Sequence, residues 1–403
     1  MAAVEYDPVH AATHLFNFPD CEILCRDASR LTGVDLLDAA RVGFSRLYPA
    51  MDFPGEVDAL IGGPPCQGFS TGGKREQDDV RNSLLIEFVR LVEEVRPRTF
   101  CLENVAGLLE SKFDVIRSEA FDRLIAAGYS LSGTDAPVNS LDFGVPQKRR
   151  RMIVLGALGD SCPARPTSLS EVVSVADAFE GLPRIEDYEC LYGSDVARLS
   201  EDDLSRLRDV PGRYARELIG LDVAEGIFSR PRVWDWTTTS GGRRTRHQQA
   251  TVDRFSETEP GSVEPKSRLY RLPKDGPART LRAGTGAERG AHTSPRPIHP
   301  SEDRVITVRE AARLHGYPDW FRFHTTNWHG HRQVGNSVPP PLARAAGRAL
   351  VKFLGYSPLV ESMPIKLGDE GLLKLSQSKA LPVVNGVDSE LPSKRRRPVS
   401  VDK

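Results

Sequence analysis

The chain has 403 residues, 39% hydrophobic and 27% charged, with a formal net charge of −1 and a sequence pI near 6.8. This fits a folded protein with one large domain carrying a smaller one, or two of moderate size. It excludes a nucleic-acid binder that works through its overall field, so any such binding has to come from local basic patches. Six cysteines without a C-x-x-C pair exclude a disulfide scaffold and a zinc site of that type, and no metal is expected. No apolar run reaches roughly 18 residues and no basic-then-apolar leader opens the chain, so a cytoplasmic protein without a membrane span is expected.

In chain order, "DALIGG" (58 to 63) reads as a buried strand ending in a glycine turn. "RNSLLIEFVRLVEEVRP" (81 to 97) follows as a helix, with Leu84, Leu85, Phe88, Leu91, Val92 and Val95 on one face before a proline stop. "TFCLENV" (99 to 105) predicts a second strand, "SEAFDRLIAAGY" (118 to 129) a helix closed by glycine, and "RMIVLGAL" (151 to 158) a further strand. Strands alternating with helices of this length predict parallel βαβ units in a doubly wound α/β sheet. Ligands of such sheets lie beyond the carboxyl ends of the strands, where "GGPPCQ" and "ENV" fall.

From 159 to 280 the pattern gives way to proline, glycine, serine and charge, which predicts a separate loop-rich module. It carries "SRPRVWDWTTTSGGRRTRH" (229 to 247), where Arg230, Arg232, Arg243, Arg244 and Arg246 are interleaved with Trp234 and Trp236. Regularity returns in "TVREAARLHGYPDWF" (307 to 321), a short helix stopped by Gly316 and Pro318, and in "PPPLARAAGRALVKFLG" (339 to 355), a helix with prolines at its start and glycine after its end. The boundaries expected are a catalytic and cofactor domain at 1–158, the module at 159–280, a return to the first domain at 281–355, and a disordered tail at 356–403. That tail ends in a basic cluster, Lys394 to Arg397, read as a solvated charge run.

Cys66 taken alone reads as a small buried hydrophobe. Its surroundings argue otherwise: Pro64 and Pro65 fix two successive φ angles, and flanking glycines let the backbone approach a ligand closely. A thiol attacks only as thiolate, so it needs cationic or hydrogen-bonding help. "QKRRR" (147 to 151) offers that help, and Glu103 at a neighbouring strand end offers an acid. A cysteine, a carboxylate and arginines without an evident histidine partner suit addition of sulfur to an electron-poor ring, with protonation of that ring.

Taken in order, "PPCQGFS", Glu103-Asn104-Val105, Gln147 with Arg149 and Arg151, "TVREAARLHGYPDWF" and "RQVGNSVPPPLA" (332 to 343) resemble the motifs of the DNA (cytosine-5) methyltransferases. The resemblance implies a mostly parallel sheet of the class I S-adenosylmethionine-dependent type with a smaller target-recognition domain at 159–280. It implies methyl transfer from S-adenosylmethionine to carbon 5 of a flipped-out cytosine in double-stranded DNA. By the same resemblance Cys66 adds to C6, Glu103 protonates N3, Asn104 braces Glu103, and Arg149 and Arg151 contact the base oxygen or hold the Cys66 loop. Glu5 and Tyr6 match the positions that bind ribose and cover adenine, Asp27 the acid that reads the adenine amino group, and Pro65, Leu84 and Asn336 other cofactor-lining positions. A restriction endonuclease acting on the same site is an implied partner, and a bacterial or phage origin an implied source.

The chain departs from the resemblance at its start. The family opens with a strand, an F-x-G-x-G-G loop and a helix, whereas "MAAVEYD" begins inside the second strand. "RAGTGAERG" (282 to 290) does not replace the loop, because it sits in the lead-in to the ninth motif. The sheet is therefore expected to lack its first strand and helix, through a start assigned too late, a true truncation, or a second chain supplying the element; the first is favoured. Two rival functions stand beside the main one: a DNA-binding remnant without activity, and a cytosine-5 methyltransferase acting on tRNA.

Overall fold

The computed structural model describes residues 1–64, 83–168, 172–222, 230–284, 296–357 and 363–385. Its first elements are β1 (Ala2–Val4), α1 (Pro8–Asn17), β2 (Glu22–Leu24) and α2 (Gly33–Leu47). The Asp7 carboxylate accepts from the Val9 N–H and Pro8 occupies the first turn of α1, while Thr32 and Asp35 form a reciprocal capping box on α2. β1 and β2 pair in parallel, Ala2 opposite Glu22 and Val4 opposite Leu24.

Next come β3 (Ala59–Gly62), α3 (Ser83–Val95), β4 (Thr99–Val105), α4 (Asp114–Ala126), β5 (Tyr129–Ser132), β6 (Val138–Asn139), β7 (Gln147–Lys148) and β8 (Arg150–Leu158). The larger sheet runs β3-β4-β8-β5, with β6 also on β8. β3 is parallel to β4, but β8 is antiparallel to both β4 and β5. The expected parallel series therefore breaks at β8. The connection from β5 to β8 holds two short strands and a single 3-10 turn but no α-helix, the usual means of returning a strand in parallel.

Alternation along the central strands divides the core. Phe100, Leu102, Met152 and Val154 face α3 and α4, whereas Cys101, Ile153 and Leu155 face the opposite side. Phe100 lies at the centre of the first face, edge-on to Phe88 at 6.2 Å and to Tyr129 at 5.3 Å. A Cβ on Gly156 would sit 2.1 Å from the Phe100 ring, so only glycine lets β8 pass over it.

Among the described residues β1 pairs only with β2 and β3 only with β4. Helix α2 packs on β1, β2 and α3, so the helical layer continues where the strands do not. Ile61 on β3 remains 70% exposed.

The remaining elements are α5 (Val175–Phe179), β9 (Val196–Arg198), α6 (Glu201–Arg208), α7 (Arg213–Ile219), β10 (Arg232–Val233), β11 (Thr238–Ser240), α8 (Gln249–Ser256), β12 (Ala278–Arg279), α9 (Val308–Arg313), α10 (Asn327–Asn336), α11 (Pro340–Phe353), β13 (Ile365–Lys366) and α12 (Gln377–Asn385). Val175, Ala178 and Leu272 share one core with Ile306, Val308, Leu314 and Phe323, so packing crosses position 280. Helix α11 buries Leu342, Ala346 and Leu350 on the second face of the larger sheet. This makes that sheet the middle layer of three.

Disorder from 356 onward is corrected over 363–385: β13 pairs with β10, and α12 packs on α1 with Ala380 buried. Lys394 to Arg397 lie outside the described residues. Phe100→Ala is expected to lower the unfolding free energy by about 3–5 kcal/mol in urea titrations; a loss below about 1 kcal/mol would remove this ring from the centre of the core.

Candidate active site

Gly63 and Pro64 are the last described residues before the P-C-Q segment; Pro65 and Cys66 lie outside the described residues. A Cβ on Gly63 would stand 3.1 Å from Glu103 Oε2, so the bare backbone brings this strand end close to the carboxylate. Glu103 projects from β4, and its Oε1 pairs with Arg151 Nε at 2.9 Å. Arg151 lies opposite Val105 in the antiparallel ladder, so its side chain reaches diagonally to Glu103. The two side chains are 13% and 17% exposed. Burial raises the Glu103 carboxyl above its ordinary value, with Arg151 and Arg149 pulling the other way. Burial likewise lowers the Arg151 guanidinium, and Glu103 opposes it.

The two motif arginines separate. Arg149 is 1% exposed and donates through Nη1 to the Leu281 carbonyl at 3.0 Å, and through Nη2 to the carbonyls of Gly335 and Ser337 at 2.9 Å each. Burial, followed by the neighbouring Arg151, lowers it to about 9. Both Nη groups thus donate to backbone carbonyls, whereas Nε has no partner among the described residues. Arg151 is the motif arginine at the carboxylate.

Asn104 does not brace Glu103. Adjacent strand residues point to opposite faces, and Asn104 Oδ1 instead accepts from the Val105 N–H at 2.7 Å. Gln147, part of the motif but without an expected role, is fully buried. Its Oε1 accepts from the Leu281 N–H at 3.0 Å, and its Nε2 donates to the Leu314 carbonyl at 3.3 Å and meets His315 Nδ1 at 2.9 Å. Only its position two residues before Arg149 marked it in the sequence.

The cofactor positions cluster in part. Glu5, Tyr6 and Asp27 follow the carboxyl ends of the paired strands β1 and β2. Glu5 Oε1 accepts from the Asp7 N–H at 2.9 Å, and Asp27 Oδ1 accepts from Ser29 N–H and Oγ. Among the described residues one oxygen of each carboxylate has no partner and can accept from hydroxyl or amino groups, and Tyr6 is 56% exposed. Two acceptors beside an open aromatic face fit an adenosine group. Leu84 lies in the first turn of α3 and is half-buried; Asn336 ends α10 with its side chain exposed.

The basic segment is shaped by aromatic contacts. Arg244 and Arg246 lie over Tyr192 at 4.1 and 4.2 Å, and Arg232 over Trp320 at 5.0 Å. Arg243, Arg244 and Arg296 line an open cleft of about 600 Å³ with Thr245, Asn327 and Trp328.

This constellation has known counterparts. The family model for C-5 cytosine-specific DNA methylase matches residues 1–352. The chain belongs to that family. Type II methyltransferase M.XorII of Xanthomonas oryzae pv. oryzae is 42% identical over 400 residues, covering 99% of this chain and 90% of that protein. M.DdeI of Desulfomicrobium norvegicum is 31% identical over 376 residues, covering 85% and 81%. Among solved structures, a prophage-encoded DNA modification methyltransferase of E. coli superposes with a TM-score of 0.68 at 32% identity, over 88% of this chain and 92% of that one. The S. pombe Dnmt2 methyltransferase, at 16% identity and a TM-score of 0.50 over 88% and 91%, shares the fold.

As a C-5 cytosine-specific DNA methylase, the chain is an enzyme that uses S-adenosylmethionine to methylate carbon 5 of cytosine in DNA. No helix among the described residues is long and apolar enough to cross a membrane.

The raised Glu103 carboxyl has a stability consequence with a definite sign. The folded state holds that proton more tightly than the unfolded chain, so stability is lost as pH rises past the ordinary value of 4.5. Glu103→Gln should therefore melt higher than wild type at neutral pH, with the difference vanishing towards pH ~4, where both side chains are neutral. Thermal melts of both proteins across pH check this; a variant that melts lower at neutral pH would mean the arginines outweigh burial.

Proposed function

We propose that Cys66 is the nucleophile and Glu103 the acid of this methyl transfer. The observation that carries the reading is a buried carboxyl, raised towards its protonated form, paired with Arg151 and lying against the strand end that leads to Cys66. A stacked base cannot reach such a site, so the target cytosine is flipped out of the duplex at a cost of about a few kcal/mol. The Cys66 thiolate adds to C6 of the ring. Glu103 delivers its proton to N3, so the electron pair pushed into the ring is neutralised there and carbon 5 becomes enamine-like. Arg151 then faces a carboxylate, and their pairing holds the charge that the proton leaves behind. Two guanidinium groups against one carboxyl make this region positive, which favours thiolate over thiol.

When bound, S-adenosylmethionine supplies the methyl group that carbon 5 takes up. Loss of the C5 proton and expulsion of the thiolate, with return of the N3 proton to Glu103, restore the aromatic ring and the starting residues. Glu5 would accept from the ribose hydroxyls, Asp27 from the adenine amino group, and the Tyr6 ring would cover the adenine. Pro65, Leu84 and Asn336 would line the rest of that pocket.

The segment 159–280 would recognise the target in double-stranded DNA, with Arg243 and Arg244 directed at phosphates. The Type II names of the relatives support a further reading, that a restriction endonuclease cutting the same sequence is the functional partner.

Cys66→Ser should bind target duplex but form no denaturation-resistant complex with DNA carrying 5-fluorocytosine, and should leave no 5-methylcytosine detectable by mass spectrometry. Trapping that survives the substitution would overturn the nucleophile. Glu103→Gln should lower kcat by about 10²–10⁴-fold while leaving duplex affinity nearly unchanged.

A further inference from the structure

His315 follows α9 and is completely buried, yet neither ring nitrogen is idle. Its Nε2 lies 3.0 Å from the Ser337 carbonyl oxygen, which can only accept, so Nε2 carries the proton. Nδ1 is then an acceptor, and the Gln147 amide donates to it at 2.9 Å. The orientation of that amide is set independently: Oε1 takes the Leu281 N–H, and Nε2 also serves the Leu314 carbonyl. One arrangement of protons satisfies every contact, with the imidazole neutral. Burial and the neighbouring Arg149 hold its pKa well below the ordinary value.

The carbonyls before and after Asn336 are both fixed by this network. Gly335 accepts from Arg149, and Ser337 accepts from Arg149 and His315. The 335–336 peptide and the 337–338 peptide on either side of this position are thereby oriented from the strand side, while Asn336 itself is exposed.

We infer that His315 is a positioning residue that locks the turn bearing Asn336 to the β7–β8 segment bearing Arg149 and Arg151, keeping the cofactor side and the cytosine side of the site in register. This rests on the reading that Asn336 lines the S-adenosylmethionine pocket. Without the histidine, Ser337 retains one donor instead of two, Gln147 loses an acceptor, and the turn can rotate relative to the strand.

The test measures S-adenosylmethionine affinity by calorimetry and target-duplex affinity by anisotropy, on the full chain and on H315L and H315Q. Leucine keeps the apolar volume and removes both hydrogen bonds; glutamine restores one acceptor and one donor. H315L should bind S-adenosylmethionine about 10-fold more weakly, with duplex affinity within about twofold of wild type, and H315Q should recover most of the loss. Unchanged cofactor affinity in H315L, equal weakening in both variants, or parallel loss of cofactor and duplex binding would each overturn the inference. A wild-type chain that binds duplex but no S-adenosylmethionine would instead overturn the cofactor reading on which the inference stands.

Discussion

A guanidinium buried to 1% exposure needs partners for its charge and its donors, and the partners that Arg149 Nη1 and Nη2 find are all backbone carbonyls. Its three carbonyl acceptors come from two stretches far from it in sequence, Leu281 after β12 and Gly335 with Ser337 at the C-terminal end of α10. The sheet, the strand that closes on β7, and the turn at the end of α10 are thus tied at a single side chain. Removing one partner of a buried charge typically costs about 3–5 kcal/mol, so these segments cannot drift apart without exposing the guanidinium to uncompensated burial. Among the described residues, the carboxylate that opposes the lowering of Arg149 is Glu103, without a hydrogen bond to it.

That arrangement explains why two arginines stand two residues apart on one strand yet do different work. Alternation would place both on the same face, but the chain leaves regular pairing at Arg149, between β7 and β8. The Arg149 N–H is taken by the Asn139 side chain at 3.1 Å. The break sends one guanidinium inward to hold backbone and leaves the other beside the carboxylate. Arg151 donates to Glu103 and to the Arg150 carbonyl, and remains close enough to Arg149 to lower its pKa. Glu103 consequently answers two opposed influences: burial, which keeps its proton on, and cations that would take it off. A group balanced in that way can give up a proton and recover it within one cycle.

Much of this was legible in the sequence, and what was not has a common cause. The apolar face of α3, strand β4 and the Pro-started α11 follow local periodicity and came out close to their observed bounds. The direction of β8 did not, because an apolar run fixes burial but not orientation, and the connection from β5 carried no crossover helix. Strand β5 itself was missed: "YSLS" has too short an apolar pattern to stand out. The ordered segment 363–385 was read as tail because its stability lies in packing on α1, more than three hundred residues earlier. In the site, the chemical types Glu103 and Arg151 were recognisable from motif order, but the side-chain direction of Asn104 needed the strand register. The roles of Gln147 and His315 rest on a contact spanning 168 positions, which no local pattern encodes.

The same distinction between residue type and placement governs how a protein of net charge −1 addresses a polyanion. Arginine is abundant, but several arginines serve the interior. Arg304 is held by Glu186, Glu302 and Glu310, and Arg313 is paired with Asp319 while donating to the carbonyls of Ala178 and Glu180. These contribute nothing to an outward field. In the 229–247 segment, by contrast, Arg244 and Arg246 share the face of Tyr192, and Arg243 is steadied by the Gly193 carbonyl at 2.8 Å. A planar guanidinium resting on a ring loses less freedom on meeting a phosphate than one on a loose stem. On the proposed reading, duplex binding then depends less on how many cations the chain carries than on which of them are preordered, so removing the Tyr192 ring would weaken phosphate contact without altering the net charge at all.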